Sequence, residues 1–179
     1  MKPTKSWRLP LSSICLVVVT GLMAATLVYG VSSTGSVSTT ITAQNISVGI
    51  GDGSVAYGSV PLGSSASTTV NGGLNGGLGD TQSATNTGNI TENFNIKGQN
   101  TTNWTLAATA GSEQFAHKFC NNGSCNASPT WTAMTTNYQS LATGITTSGT
   151  QSFDLQILVP TATAYFTQQA ADVIVQATQ

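Results

Sequence analysis

The sequence predicts an all-β protein, a jelly-roll-like β-sandwich preceded by a signal peptide and a lone N-terminal strand. Three observations point there. Apolar residues recur at every second position in several short runs, the period of a half-buried strand. Clusters of Gly, Asn, Ser and Pro separate those runs at short intervals, as in sandwiches and jelly rolls. No long helical period appears after Gly30, and Thr is abundant, which favours strands over helices.

Taken in order, residues 1–30 form the targeting segment. Lys2, Lys5 and Arg8 precede an apolar run from Leu11 to Tyr29. Val28 and Gly30 make a fair cleavage signal, which places the cut after Gly30. The competing assignment is an uncleaved anchor, because the run is just long enough to span a bilayer. Both assignments put the rest of the chain outside the cytoplasm. Residues 31–43 then read as one extended strand with Val37, Thr39, Ile41 and Ala43 on one face. "NISVGI" continues with Ile46, Val48 and Ile50, but in the opposite parity. The switch at Gln44-Asn45 predicts a bulge or a break between two strands.

The sandwich is expected over residues 44–179. "NFNIKG" carries Phe94 and Ile96 on one face, and "SFDLQILVP" carries Phe153, Leu155, Ile157 and Val159 before Pro160 ends the strand. The last strand, "ADVIVQAT", carries Val173, Val175 and Ala177. Turns are predicted at 51–54, 61–65, 71–80 and 147–150. The Gly-rich "NGGLNGGLGD" of 71–80 lacks the Lys-Ser/Thr ending of a phosphate-binding loop. A helical turn is predicted within 128–142, with Ser128 as cap and Pro129 after it.

Once the signal is removed, Lys97 and Lys118 stand against six acids, a net charge of −4. No basic patch can form, so nucleic acid and anionic lipid are excluded as partners. Charged residues make up 6% of the chain, against the usual quarter, so the surface must be Thr, Ser, Asn, Gln and Gly. Such a surface lacks the repulsion that keeps soluble proteins apart and packs closely without desolvating ions.

Two cysteines remain, Cys120 and Cys125, in "CNNGSC". Asn122-Gly123 is the favoured pair for a two-residue type I′ hairpin loop. That turn makes Cys120 and Cys125 a non-hydrogen-bonded pair with Cα atoms about 4.5 Å apart, within disulfide range. A metal site competes with this assignment, but no second ligand pair exists.

His117, the only histidine, shares a face with Phe115 and Phe119, so it is expected to pack. Nothing supplies a Ser/His/Asp or Cys/His arrangement. The acids Asp52, Asp80, Glu92, Glu113, Asp154 and Asp172 are scattered singly. Asp52 in "GIGDGS" fits a solvated turn better than a calcium ligand. No catalytic residue, metal or cofactor is expected. Six Asn-x-Ser/Thr sequons occur, at Asn45, Asn89, Asn100, Asn103, Asn122 and Asn126. Four fall between residues 100 and 128, which suggests one glycan-bearing outer face.

The signal leading into a Ser/Thr-rich strand, then "VGIGDGSVAYGSVPLGSSAS", "SATNTGNITENFNIKG" and "SFDLQILVPTAT" before a Val-rich final strand, resembles the TasA/camelysin biofilm fibre proteins. It is more closely similar to the archaeal bundling pilins. The resemblance covers most of residues 31–179 and rests on pattern. It implies an extracellular pilus or matrix fibre whose jelly-roll subunits polymerise by donor-strand complementation. Residues 31–43 would then complete the sheet of an identical neighbouring subunit, and filaments would bundle. The protease activity described for camelysin is not carried over, because this chain has no His-Glu-x-x-His. Two other functions stay open. One is a glycosylated cell-surface or S-layer-associated module anchored by residues 11–29. The other is a carbohydrate-binding sandwich that stacks sugars on Trp104, Trp131 and Tyr138.

Overall fold

A computed structural model of the chain describes residues 35–69, 77–121, 125 and 129–179. The predicted signal segment, the first part of the Gly-rich loop, and the sequons at Asn122 and Asn126 lie outside the described residues. The chain divides into two units, Met1–Ile41 and Thr42–Gln179. Within the first unit, residues 35–41 carry no strand and are exposed, Val37 at 88% and Ile41 at 98%. Thr39 is exposed as well, as is Ala43 at the start of the second unit.

The described part of the second unit is all-β: ten strands in two sheets and no helix. One sheet contains β1 (Val48–Ile50), β2 (Ser65–Ser67), β3 (Gln82–Asn86), β5 (Thr105–Leu106), β6 (Gln114–Asn121), β7 (Thr132–Ala133) and β9 (Thr150–Leu158). The other contains β4 (Glu92–Gly98), β8 (Gln139–Ile145) and β10 (Val173–Thr178), in the order β10-β4-β8. All pairings are antiparallel except β5 with β6.

β9 is the spine of the larger sheet. One edge pairs with β6 over residues 153–158. The other pairs with β3 over residues 150–153 and then with β2 over residues 156–158. Thr68 fills the gap between β2 and β3. Its N–H donates to the Leu155 carbonyl at 2.9 Å, and its hydroxyl accepts from the Leu155 N–H at 2.9 Å. The alternating Phe153, Leu155 and Ile157 are buried as their pattern predicts, and Val159 follows just beyond the strand end. Phe94 and Ile96 of β4 and Leu141 of β8 cover the Phe153–Leu155 end, together with Phe119, Met134 and Ala84.

On the opposite face of β9, Asp154 is buried, while Ser152 is exposed and Gln156 and Leu158 are half-buried. Asp154 accepts from the hydroxyls of Thr68 and Thr81, each at 2.8 Å, so its carboxylate is solvated by protein rather than water. Cys120 is its register partner on β6 and forms a disulfide with Cys125, Cα to Cα 5.4 Å. The bridge therefore sits beside the buried Asp154 carboxylate, and it marks a non-reducing compartment.

Two sequence expectations are corrected. No helical turn forms in the described part of 128–142, which contains β7 and the start of β8 instead. One tertiary hydrogen bond and two local side-chain bonds override the helical pattern there. The Met134 N–H donates to the His117 carbonyl at 2.8 Å, and the Gln139 side chain accepts from the Thr135 N–H while donating to the Ala133 carbonyl. The strand that returns on β6 is β7, through Lys118↔Ala133 and Phe119↔Thr132. The disulfide ties Cys120 of β6 to Cys125 in the connection between these strands, and the expected two-residue turn at 122–123 falls outside the described residues.

The second correction concerns 45–50, where the strand begins only at Val48 and Ile46 is 44% exposed. The 87–92 turn interrupts the ladder. The Asn89 amide accepts from the Asn45 N–H and donates to the Ala43 carbonyl, and Glu92 Oε1 accepts from the Ser47 N–H, each at 2.8 Å. Gly88 is required at this turn, because a Cβ would collide with the Asn45 carbonyl and Glu92 Oε1.

Closing a loop as short as Cys120–Cys125 stabilises the fold by about 2 kcal/mol on the chain-entropy model. Alkylation of the non-reduced protein followed by mass spectrometry is expected to find neither cysteine labelled. Reduction is expected to lower the urea midpoint correspondingly; labelling of both cysteines without reductant would overturn the pairing.

Candidate functional site

The smaller sheet has only three strands, too few to cover the larger one. Its end strand β10 pairs with β4 through Val173↔Gly98 to Thr178↔Asn93 and has no strand on its other side among the described residues. The consequence appears in burial. Phe94 and Ile96 of β4 are fully buried, whereas their register neighbours Ala177 and Val175 on β10 are only half-buried.

Beside β10 lies a groove of about 910 Å³. β9 lines it with the Phe153–Val159 face, β6 with His117, and β10 with Val173 and Val175. Its remaining walls are two irregular segments, Gly53–Val60 and Phe166–Asp172. The lining is mixed: an apolar floor from β9 and β10 is rimmed by amides, hydroxyls and one acid, Asp172.

Side chains fasten the second wall. The Trp104 indole N–H donates to the Thr163 hydroxyl at 3.0 Å, which donates to Glu113 Oε2 at 2.6 Å. Glu113 Oε1 accepts from the Ala164 N–H, and Gln169 Oε1 accepts from Thr101 and Asn103.

The first wall is held at its start by the Gln82 amide, which bonds Gly53 and Ser54, and further along by the packing of Val55 and Tyr57 and one hydrogen bond. The Tyr57 hydroxyl and His117 Nε2 lie 3.0 Å apart, with the rings edge to face at 5.9 Å. Which atom donates depends on the imidazole tautomer. Nδ1 of His117 is buried without a hydrogen-bond partner among the described residues. Burial pushes the His117 pKa down to about 4, since an imidazolium there would lose hydration it could not replace. Burial also raises the Tyr57 pKa, with Asp80 and Asp154 adding to the effect, so its phenol stays protonated.

The remaining predicted residues are dispersed. Asp52 accepts from Ser54 in an exposed turn, and Asp80 accepts from the Gln82 amide. The one cluster of potential metal ligands among the described residues is Cys120, Cys125 and Asp154. Both sulfurs there are committed to the disulfide, which leaves the carboxylate alone. Of the sequons, Asn45, Asn89 and Asn100 are exposed, and Asn103 is half-buried with its amide donating to Gln169. Trp104 lines the groove and packs on Phe115, Tyr138 lies beneath the Lys97 ammonium at 4.6 Å, and Trp131 is half-buried. No ring contact joins these three among the described residues.

Sequence reasoning missed Tyr57 and the wall that carries it. The available signal was the alternation of Val55 and Tyr57 between Gly53 and Gly58. Compared with protein-family models, curated proteins and solved structures, the chain matches none.

The His117 shift has a defined sign. Unfolded, the imidazole takes up its proton near pH 6.5; folded, it does so only near 4. Its contribution to stability is therefore complete above pH 6.5 and lost as pH falls toward 4, on the order of 2 to 3 kcal/mol. Urea titrations at pH 7.5 and 4.5 are expected to show a smaller acid loss for His117→Gln than for the parent chain. Equal losses in the two proteins would remove the assignment.

Proposed function

We propose that the chain is the structural subunit of an extracellular pilus or biofilm matrix fibre that polymerises head-to-tail by donor-strand complementation. The observation that carries this is the coexistence of an open groove with an apolar floor, beside an edge of β10 that is unpaired among the described residues, and an exposed N-terminal segment whose sequence alternates as a strand does. An apolar-faced strand is unstable alone in water, and an unpaired sheet edge recruits another strand. β-Augmentation satisfies both.

Dimensions and chemistry agree. Residues 37–43 span about 23 Å when extended, against about 20 Å for the six residues of β10. The segment from Val31 to Gly51 has no ionisable side chain, so docking desolvates no charge. Val37, Thr39, Ile41 and Ala43 would face the groove, and the small Thr39 and Ala43 suit a narrow one. The Asn89 bonds to Asn45 and Ala43 support a donor that leaves its own domain near Gln44-Asn45. A head-to-tail contact that cannot close on itself propagates a filament.

Negative-stain imaging of material sheared from cells is expected to show fibres built from this chain. Deleting residues 31–43 behind an intact signal is expected to give secreted subunits without fibres. Ile41→Asp is expected to do the same by placing an unpaired charge in the groove. Normal fibres from the deletion would falsify donor-strand assembly.

A further inference from the structure

If an incoming strand takes the groove, something must shield the apolar face of β9 beforehand. Ile157 and Val159 are nearly fully buried in the single subunit, and so is His117, although they line an open groove. Among the described residues the smaller sheet supplies no strand beyond β10. Gly53–Val60 lies along that groove, and its Val55 and Tyr57 pack against the core.

The attachment of this segment is asymmetric. Its flanks are tied by backbone: the Gly51 N–H donates to the Ser83 carbonyl and the Gly63 N–H to the Pro160 carbonyl, each at 3.0 Å. The Gln82 amide holds its first residues, accepting from the Gly53 N–H and donating to the Ser54 carbonyl. From Val55 to Val60 no backbone hydrogen bond is made to any described residue. What holds that stretch is the packing of Val55 and Tyr57 and the single Tyr57–His117 hydrogen bond. Gly53, just before it, and Gly58, directly after Tyr57 and inside it, lie in the left-handed region, φ +79° and +69°, where other residues are strained. A segment covering apolar surface without a hydrogen-bonded ladder belongs to the least stable part of a fold.

We propose that Gly53–Val60 is a displaceable strap, which fills the acceptor groove of the free subunit and swings out at its two glycines when a strand from a second copy docks. The inference rests on the donor-strand function proposed above and adds what the groove holds before assembly. The strap shields β9 but leaves the edge of β10 unpaired. A docking strand shields β9 and pairs β10 as well. The exchange therefore favours the polymer through hydrogen bonds the strap never makes, while the strap protects the free subunit from non-specific association.

The chain has one histidine, so its imidazole NMR signals report the strap directly. The secreted full chain carrying Ile41→Asp, unable to donate its own strand, is titrated with a synthetic peptide of residues 35–47. Binding is expected to shift the His117 ring resonances as the Tyr57 hydroxyl leaves, and to speed amide exchange at Val55–Val60 while slowing it along β10. Tyr57→Phe keeps the ring but removes the strap's hydrogen bond, and is expected to bind the peptide about fivefold more tightly. Peptide binding with His117 and the Val55–Val60 amides unchanged, or weaker binding to Tyr57→Phe, would overturn the strap and leave strand donation intact. Failure of the peptide to bind at all would overturn both.

Discussion

The structure depends on how the apolar face of β9 is kept from water. This strand pairs along both edges and alternates Phe153, Leu155 and Ile157 toward the second sheet. Burying side chains of that size is worth roughly 1.5–3 kcal/mol each, so the face cannot be left bare. Three strands cover one end of it, and irregular segments cover the other. The groove, its two walls and the buried Tyr57–His117 pair follow from that shortfall of strands.

The scarcity of charge shapes the same outcome. Among the described residues, buried acids are neutralised locally by hydroxyl and amide donors, as Asp154 is by Thr68 and Thr81 and Glu92 in part by the Ser47 N–H. Threonine serves twice, as a strand former and as a donor short enough to reach a neighbouring carboxylate. The result is a sheet whose outer side can be closed by a short polar segment and a disulfide, with no ionic network needed.

Two kinds of attachment coexist in the domain. The 163–169 loop is fixed by a chain of side-chain hydrogen bonds through Trp104, Thr163, Glu113 and Gln169. The opposite wall of the groove relies on two apolar side chains and one hydroxyl. A difference of this sort sets which wall yields first, because local opening follows the number of bonds that must break.

The sequence by itself determined the strand class and the strongest strands. Alternation at Phe94/Ile96 and at Phe153–Val159 is a local property, and burial follows it directly. The disulfide was legible as well, because the spacing of Cys120 and Cys125 limits their geometry. Only the tertiary structure decided the rest. The stretch expected as a helical turn contains β7 and the start of β8, because Met134 and Gln139 find partners distant in sequence or across a turn. β1 starts late because Asn89 and Glu92, more than forty residues away, take the backbone groups of Asn45 and Ser47. The groove could not be read locally at all, since it arises from a count of strands in two sheets. Tyr57 became visible only once β6 placed His117 within 3.0 Å of its hydroxyl.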